Sequence, residues 1–380
     1  MPMLTRLGIV TVTALATTAA LAPSVSAAEH RGDDQSRGAR HAVFVQTDDP
    51  AGNRIVAYHR AQDGRLTAAG SYATGGLGGV LDGSVVDHLA SQGSLTYDAR
   101  HALLYAVNAG SNTVTVFSVD GDRLTQRQIV GSGGRFPVSV AVHDDVVYVL
   151  NALDGGSVQG FTVHDRRLSP RADWNRCLGL DPDATPQFTH TPGQVGIIAD
   201  GSQLVVTTKA NGNSLLVFAL DHEGAPADAP VTTVQSGTVP FGFVQHGPHL
   251  LVAQAGPNAV ATVMVNPDGT ATQSGAAPTG QAATCWDTLI GRTVYASNAG
   301  SATVSGFRIG NGGVLEPLGN TATHPGTVDS AASDNGRFLY VQTGAAGIVD
   351  EFQVNADGSL TALDSVTVPD AVGGEGIVAF

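Results

Sequence analysis

Five titratable side chains stand where the surrounding sequence pattern is otherwise small or apolar. Lys209 is the only lysine of the chain, and an ammonium group can steady a carboxylate or a developing oxyanion. His190 and His324 each precede a Gly/Pro turn by one or two residues, and imidazoles transfer protons near neutral pH. Asp329 and Glu375 are the acids expected to orient them. The set predicts proton-transfer catalysis, whereas a salt-bridged lysine, loop histidines and carboxylates bonded to backbone amides are the structural alternatives.

Five further residues are candidates for holding a ligand. Arg135 would add a second cation, and Gln194 and Trp286 lie where predicted inner strands begin. Asn108 and Asn298 end two strands at equivalent positions of a repeat. Because asparagine recurs there, side-chain capping of a turn is the competing interpretation.

The elements that must position these residues are seven copies of one repeat. Each copy has a short strand of small residues, an apolar strand ending in a small polar residue, and a third, β-branched strand. Asp-Gly pairs then supply the positive φ of tight hairpin turns. Four short strands every ~40–50 residues predict an all-β, seven-bladed β-propeller with four-stranded antiparallel blades. The apolar strands end at Thr47, Asn108, Asn151, Thr208, Gln254, Asn298 and Thr343.

The N-terminal end of the repeat region lacks one strand, and the C-terminal end has one strand too many. No small-residue strand precedes Val43, and residues 373–380 resemble such a strand with no blade after it. We expect this tail to join residues 41–75 and close the ring, which leaves no free sheet edge; an open propeller or a solenoid is the alternative. Longer spacings mark insertions at about 75–93 and 169–191, which are expected to carry function. The candidate residues would then meet at one mouth of the central channel, as in a small-molecule site.

Composition excludes several classes of protein. The net charge is −14, so no basic stripe is available for nucleic acid. The sequence has no Gly-x-Ser-x-Gly elbow and no phosphate-binding P-loop, and it predicts neither a cofactor nor a metal. His246 and His249 form only a weak ligand pair, on the opposite rim. Cys177 and Cys285 are too few for a disulfide framework; one bridge between them stays open, with a buried, unpaired Cys285 favoured.

The N-terminus has the features of an export signal. Arg6 precedes an uncharged apolar run over 7–22, and small residues near position 28 suit cleavage. A membrane anchor is the alternative, but the run is shorter than the ~20 residues that a spanning helix needs. The sequence therefore predicts a signal peptide at 1–28, a disordered linker at 29–40, and a secreted propeller at 41–380 with no membrane association after cleavage.

The repeats also resemble a known family. Segments 105–114 and 295–301 resemble Tyr-Val-Thr-Asn propeller repeats, and segments 205–209, 240–243 and 283–286 resemble one branch of that family. The whole of 41–380 resembles the secreted actinobacterial branch of the seven-bladed lactonase-like propellers, a superfamily that includes 6-phosphogluconolactonase and the carboxymuconate cyclases. The resemblance implies opening or closing of a lactone at the channel mouth, by histidine, arginine and acidic residues acting together.

Two functions follow from this reading. In the first, the protein is a monomeric exported hydrolase or cycloisomerase acting on a small-molecule lactone or carboxylate. Lys209 and Arg135 would polarise the ester, His190 or His324 would move the proton, and an acid would orient the histidine. In the second, the propeller is a non-catalytic platform that binds a protein, a glycan or a small ligand on its rim, because fold does not fix function.

Overall fold

The computed structural model describes residues 41–380, so the predicted signal peptide and linker lie outside the described residues. The strands form seven four-stranded antiparallel sheets, which confirms the predicted propeller. The first three blades contain β1 (Ala42–Gln46), β2 (Arg54–Arg60) and β3 (Leu66–Ala73); β4 (Leu95–Asp98), β5 (Leu103–Asn108), β6 (Thr113–Asp120) and β7 (Arg123–Gly131); and β8 (Pro137–His143), β9 (Val146–Asn151), β10 (Ser157–His164) and β11 (Arg167–Cys177).

The remaining four blades follow in chain order, and the last strand returns to the first blade. They contain β12 (Val195–Ile198), β13 (Gln203–Thr207), β14 (Ser214–Ala219) and β15 (Val231–Val234); β16 (Pro240–His246), β17 (His249–Gln254), β18 (Ala259–Val265) and β19 (Ala271–Pro278); β20 (Thr284–Ile290), β21 (Thr293–Asn298), β22 (Thr303–Ile309) and β23 (Leu315–Ala322); β24 (Thr327–Ala332), β25 (Phe338–Thr343), β26 (Ile348–Val354) and β27 (Leu360–Thr367); and β28 (Ile377–Ala379).

Short helices occupy only connecting segments of the described chain. One α-helical turn, α1, spans Gln187–His190, and 3₁₀ turns span Ala109–Ser111, Ala199–Gly201 and Asn311–Gly313. No helix within 41–380 has the length and apolar character required to cross a bilayer.

Burial differs between the second and the outermost strand of a blade. All residues of β5 are buried, whereas most of β3 is exposed. A second strand packs against neighbouring blades on both faces, so it is apolar along its length, and an outermost strand meets solvent and tolerates polar residues. This gradient explains why the repeated apolar strands dominate the sequence pattern.

A tyrosine in the second strand links several blades to the next one. The hydroxyl of Tyr148 donates to the Gly224 carbonyl at 2.7 Å, and that of Tyr340 donates to the Gly64 carbonyl at 2.7 Å. Each acceptor lies in an outer turn of the following blade, where the backbone φ of Gly64 is +92°. The second bond crosses from the last blade to the first, so it also holds the ring closed.

The C-terminal strand closes the ring as predicted. In β28, Val378 pairs with Phe44 in β1. The Ala42 amide donates to the Phe380 carbonyl at 3.0 Å, and the Phe380 amide donates back at 3.0 Å. The Phe380 ring also stacks on Tyr97 of the second blade, with centroids 4.4 Å apart.

One predicted insertion has a different extent. The range 169–191 was expected to be an added loop, but β11 continues to Cys177 by pairing Arg176 with Val158 of β10. The extension is anchored by Trp174, whose ring is fully buried. The second insertion is therefore the segment 178–194 that contains α1, and the first insertion occupies 74–94 between β3 and β4.

Candidate functional site

The first insertion crosses the central channel. We call residues 87–94 the channel segment. The Ser91 hydroxyl donates to the Val138 carbonyl of the third blade at 2.9 Å, and the Ser91 carbonyl accepts a 2.6 Å bond from Trp286 Nε1 of the sixth. The Gln92 amide side chain donates to the Asp287 carbonyl at 2.8 Å. Since these partners come from blades on different sides of the ring, the segment fills the channel and braces the blades.

Beside the channel segment lies a partly open pocket of about 360 Å³. Its walls come from the inner strands β16 and β20 of the fifth and sixth blades and from residues next to strand ends in the fourth, fifth and sixth blades, and both insertions contribute to the lining. We call it the roofed pocket. It is lined by Ser84, Val85, Val86, Asp87, Ala90, Phe188, Thr189, Lys209, Val239, Phe241, Ala255, Asn258, Ala283, Cys285, Trp286 and Ala299.

Lys209 ties the two insertions together. It lies two residues after β13 with a left-handed φ of +50°, which turns its side chain inward. Its Nζ donates to the carbonyl oxygens of Ala90 at 2.6 Å and Phe188 at 2.7 Å, and to Thr191 Oγ1 at 3.1 Å. Nζ also lies 5.2 Å from the centre of the Phe241 ring. All three ammonium donors are thus used, and both halves of the roof depend on one cation.

Asp87 supplies the matching acid. Its carboxylate accepts bonds from the backbone amides of Leu89 at 2.8 Å and Ser91 at 3.0 Å. Burial raises the pKa of Asp87 to about 6, opposed by those amides and by the charge of Lys209. Burial lowers the pKa of Lys209 to about 7, opposed by the charge of Asp87. An acid and a base on one pocket wall therefore both change protonation near neutral pH.

An aromatic corner and a thiol complete the pocket wall. The rings of Phe241 and Trp286 meet edge to face with centroids 4.9 Å apart. Cys285 is a buried, free thiol, and burial raises its pKa to about 12. It is therefore a neutral wall group and not a thiolate nucleophile. Cys177 is exposed and free, so the two cysteines form no bridge.

Behind the pocket, three acids form a buried group that we call the acid cluster: Asp48, Asp329 and Glu375. The Glu375 amide donates to Asp48 Oδ2 at 2.8 Å, and the Gly93 amide donates to Glu375 Oε1 at 3.1 Å. Burial raises the pKa of Asp48 to about 8 and that of Asp329 to about 7, and burial with neighbouring carboxylates raises the pKa of Glu375 well above its usual range. Within 41–380, no group of three or more His, Cys, Asp or Glu residues has the arrangement of a metal site.

The structure brings some of the sequence-predicted residues together. Lys209 and Trp286 line the roofed pocket, and Asp329 and Glu375 meet in the acid cluster. Neither acid lines the pocket. The predicted cation and the predicted acids are therefore neighbours across the channel segment and do not share one cavity.

Three predicted residues lie elsewhere. His190 Nδ1 lies 3.0 Å from the Pro186 carbonyl oxygen within its own helical turn, and His324 Nδ1 lies 2.6 Å from Asp350 Oδ1. The two histidines are bonded to different segments, and neither lines the roofed pocket. Arg135 is exposed on the surface, where it pairs with Asp154 at 2.8 Å.

The three remaining predicted residues have their side chains engaged by the fold. Gln194 Oε1 accepts a 2.6 Å bond from the Phe243 amide and so links the fourth and fifth blades. Asn108 Nδ2 donates to Thr115 Oγ1 at 2.9 Å, and Asn298 Nδ2 donates to Ser305 Oγ at 2.9 Å. These asparagines hold the second and third strands of a blade together, and neither lines the roofed pocket.

Sequence reasoning missed Asp48, and it placed Asp87 near the channel mouth without giving it a catalytic or binding role. Asp48 lies two residues after β1 with φ of +52°, the same place that Lys209 occupies after β13. The charge that breaks the repeat at Lys209 therefore has a counterpart at Asp48, and comparing the strand ends would have found it. Asp87 has no such signal, because its position depends on the path of the insertion across the channel.

Several solved structures have a fold similar to that of this chain. The chain is similar to a candidate 6-phosphogluconolactonase from Bacteroides uniformis, with 17% identity and a TM-score of 0.73 over 90% of this chain and 100% of that one. It is similar to a periplasmic gluconolactonase from Pseudomonas aeruginosa, with 18% identity and a TM-score of 0.70 over 89% and 98%.

A protein from Lactobacillus plantarum has 17% identity and a TM-score of 0.71 over 90% of this chain and 99% of that one. No protein-family model matches the sequence, and no curated protein matches it either. At these identities the comparisons establish the fold alone, a seven-bladed β-propeller.

Proposed function

We propose that this protein is a lactonase-type hydrolase whose active site is the roofed pocket. The observation that carries the proposal is the pair Asp87 and Lys209, an acid and a base that line one pocket to which both insertions contribute. A cavity of this size, closed by loops and lined mainly by apolar groups, suits a small organic ligand. Burial of both side chains strengthens the electrostatic effect of their charges on a bound ester.

Ring opening in this pocket needs one water molecule and two proton transfers. The Asp87 carboxylate takes a proton from water as the water oxygen bonds to the acyl carbon of the lactone. The bond between the acyl carbon and the ring oxygen then breaks, and the ring oxygen, which replaces the Thr191 hydroxyl at Nζ, takes a proton from the Lys209 ammonium. Transfer of the proton from Asp87 to Lys209 restores the resting pair, and the product is a hydroxy acid. Cycloisomerisation of the lactone would use the same two groups.

The solved relatives support this proposal by their chemistry. One is described as a gluconolactonase and another as a candidate 6-phosphogluconolactonase. The proposal also includes export, which rests on the signal peptide predicted at 1–28. Sequencing the N-terminus of the mature protein from the culture medium tests this part: a start near residue 29 supports it, and retention of Met1 inside cells contradicts it.

One observation favours the second candidate function, a non-catalytic binding protein. The three donors of Lys209 are already bonded to Ala90, Phe188 and Thr191, so the ammonium has a complete structural role without a substrate. Under this alternative the pocket binds a small ligand and releases it unchanged.

Hydrolysis of a lactone releases acid, which separates the two candidates. Purified protein is held at fixed pH while base consumption is recorded with aliphatic, aromatic and sugar lactones, beside a D87N variant. Base consumption that depends on the protein and falls at least 100-fold in D87N supports the hydrolase. Absence of consumption with every lactone, or equal consumption by D87N, contradicts it.

A further inference from the structure

We propose that the roofed pocket selects uncharged, predominantly apolar lactones, such as alkyl- or aryl-substituted rings, and rejects carboxylated and phosphorylated ones. That the ligand is a lactone rests on the proposed function. The preference for an uncharged, apolar ligand is a property of binding and can be tested without catalysis. Three features of the pocket support this selection: its walls are mostly apolar, its charged groups are already paired, and its polar side chains are already hydrogen-bonded.

The walls are apolar on most sides. Phe241 and Trp286 form an aromatic corner, Val86 and Val239 face it, and alanines fill the remaining wall. A flat or aliphatic ring can lie against the aromatic faces and release the water that it and the wall hold. A substituent of a few carbons fits the same volume of about 360 Å³.

The charges of the pocket do not suit an anion. Among the described residues that line it, Lys209 is the only cation, and its three donors are bonded to the protein. An anionic ligand would have to displace one of these three partners from Nζ, the Thr191 hydroxyl at 3.1 Å being the most distant, and would then lie beside the Asp87 carboxylate. Arg135, the other cation expected at the site, is on the surface in a pair with Asp154.

The polar side chains of the lining are also occupied. The Ser84 hydroxyl donates to the Asp87 carbonyl, and Asn258 Oδ1 accepts a 3.2 Å bond from the Thr284 amide. A sugar lactone brings several hydroxyls that would lose their water partners and find few replacements. Burial of such unpaired groups opposes binding.

The two cysteines provide a direct test of binding. Cys285 is in the pocket wall and Cys177 is exposed, and the chain has no others. In a C177S variant, the rate of Cys285 modification by methyl methanethiosulfonate is measured with and without each lactone. Wild-type Cys177 is the matched control, since its rate should not respond to any ligand. The lactones are δ-nonalactone and dihydrocoumarin, glucono-δ-lactone, and a γ-lactone bearing a carboxylate.

We expect the two apolar lactones to slow modification of Cys285 at least tenfold and the carboxylated one to have no effect. If the apolar lactones protect Cys285 but no acid is released, the binding preference is supported and the proposed hydrolase activity is contradicted. The two proposals can therefore fail separately. Protection by the carboxylated lactone or by glucono-δ-lactone at equal concentration, or no protection by the apolar pair, overturns the selection. If C177S does not fold, the modification is followed by mass spectrometry of peptides from the wild-type protein. If the buried, neutral Cys285 does not react without ligand, each lactone is instead titrated against the fluorescence of Trp286 in the pocket wall, with the same expected order of the lactones.

Discussion

The first and fourth blades place an ionisable residue at the same point of the repeat, and the two residues have different surroundings. Asp48 and Lys209 each follow a threonine, lie two residues beyond the second strand of the blade, and have φ near +50°. Both side chains are almost fully buried. Asp48 joins the acid cluster, and Lys209 borders the roofed pocket.

The difference lies in what each side chain faces. Asp48 is bonded to the Glu375 amide and lines none of the cavities described above, so its raised pKa is a consequence of burial among other acids. Lys209 is equally buried, but one side of its environment is a cavity that a ligand can enter. A charge that breaks a repeat thus marks an unusual environment, and an adjacent cavity is what makes that charge available for chemistry.

The largest effect is expected at Lys209. Replacing it in K209M should lower kcat/KM for a neutral lactone by about 10²–10³, because the proton donor is lost and the roof loses its shared anchor. Steady-state kinetics measure this change, and D48N is the matched control from the first blade. An equal loss of activity in D48N and K209M would contradict the claim that only the residue beside the cavity takes part in the reaction.

The next effect concerns the partner acid. D87N keeps one oxygen acceptor, so one of the Leu89 and Ser91 amides loses its partner, and the side chain cannot take a proton from water. We expect kcat to fall by about 10²–10³ with little change in KM. Circular dichroism and thermal unfolding of the same sample check that the fold is retained. A proportional rise in KM with kcat unchanged would mean that Asp87 binds the ligand and transfers no proton.

The comparison can be sharpened by the pH dependence of stability. Burial raises the pKa of Asp48 from 3.8 to about 8, so between those values the folded chain binds a proton that the unfolded chain has lost. The free energy of unfolding contributed by Asp48 is therefore present at acidic pH and lost as pH rises through that window. Asparagine resembles the neutral acid, so D48N should be more stable than the wild type at pH 8 and similar at pH 4. Tm measured from pH 4 to 9 tests this, and parallel curves for the two proteins would contradict it.

The smallest effects are expected outside the pocket. His324 is about half exposed and paired with Asp350, and Arg135 is exposed and paired with Asp154. H324A and R135A should keep kcat/KM within about twofold and change the free energy of unfolding by less than about 1 kcal/mol. A tenfold loss of activity in either variant would mean that the active site includes that residue and is not confined to the roofed pocket.

The sequence predicted most of the fold because strand periodicity and turn residues are local signals that recur in seven copies. Ring closure was also predictable, since an inner strand was missing at one end and surplus at the other. The site was predictable only where a residue departs from the repeat, as Lys209 does. The positions of Asp87 and His190 depend on the three-dimensional paths of the two insertions, which no repeat constrains. A cavity between blades leaves no pattern in the sequence at all.

The central claim, that Asp87 and Lys209 act as base and acid in one pocket, is tested most directly by the pH dependence of kcat/KM for a neutral lactone. Consumption of δ-nonalactone is followed from pH 5 to 9 with the wild type and D87N. Asp87 must be deprotonated and Lys209 protonated, so the account predicts a bell-shaped profile with its maximum between pH 6 and 7 and loss of the acidic limb in D87N. A flat profile, or an unchanged bell in D87N, would contradict it.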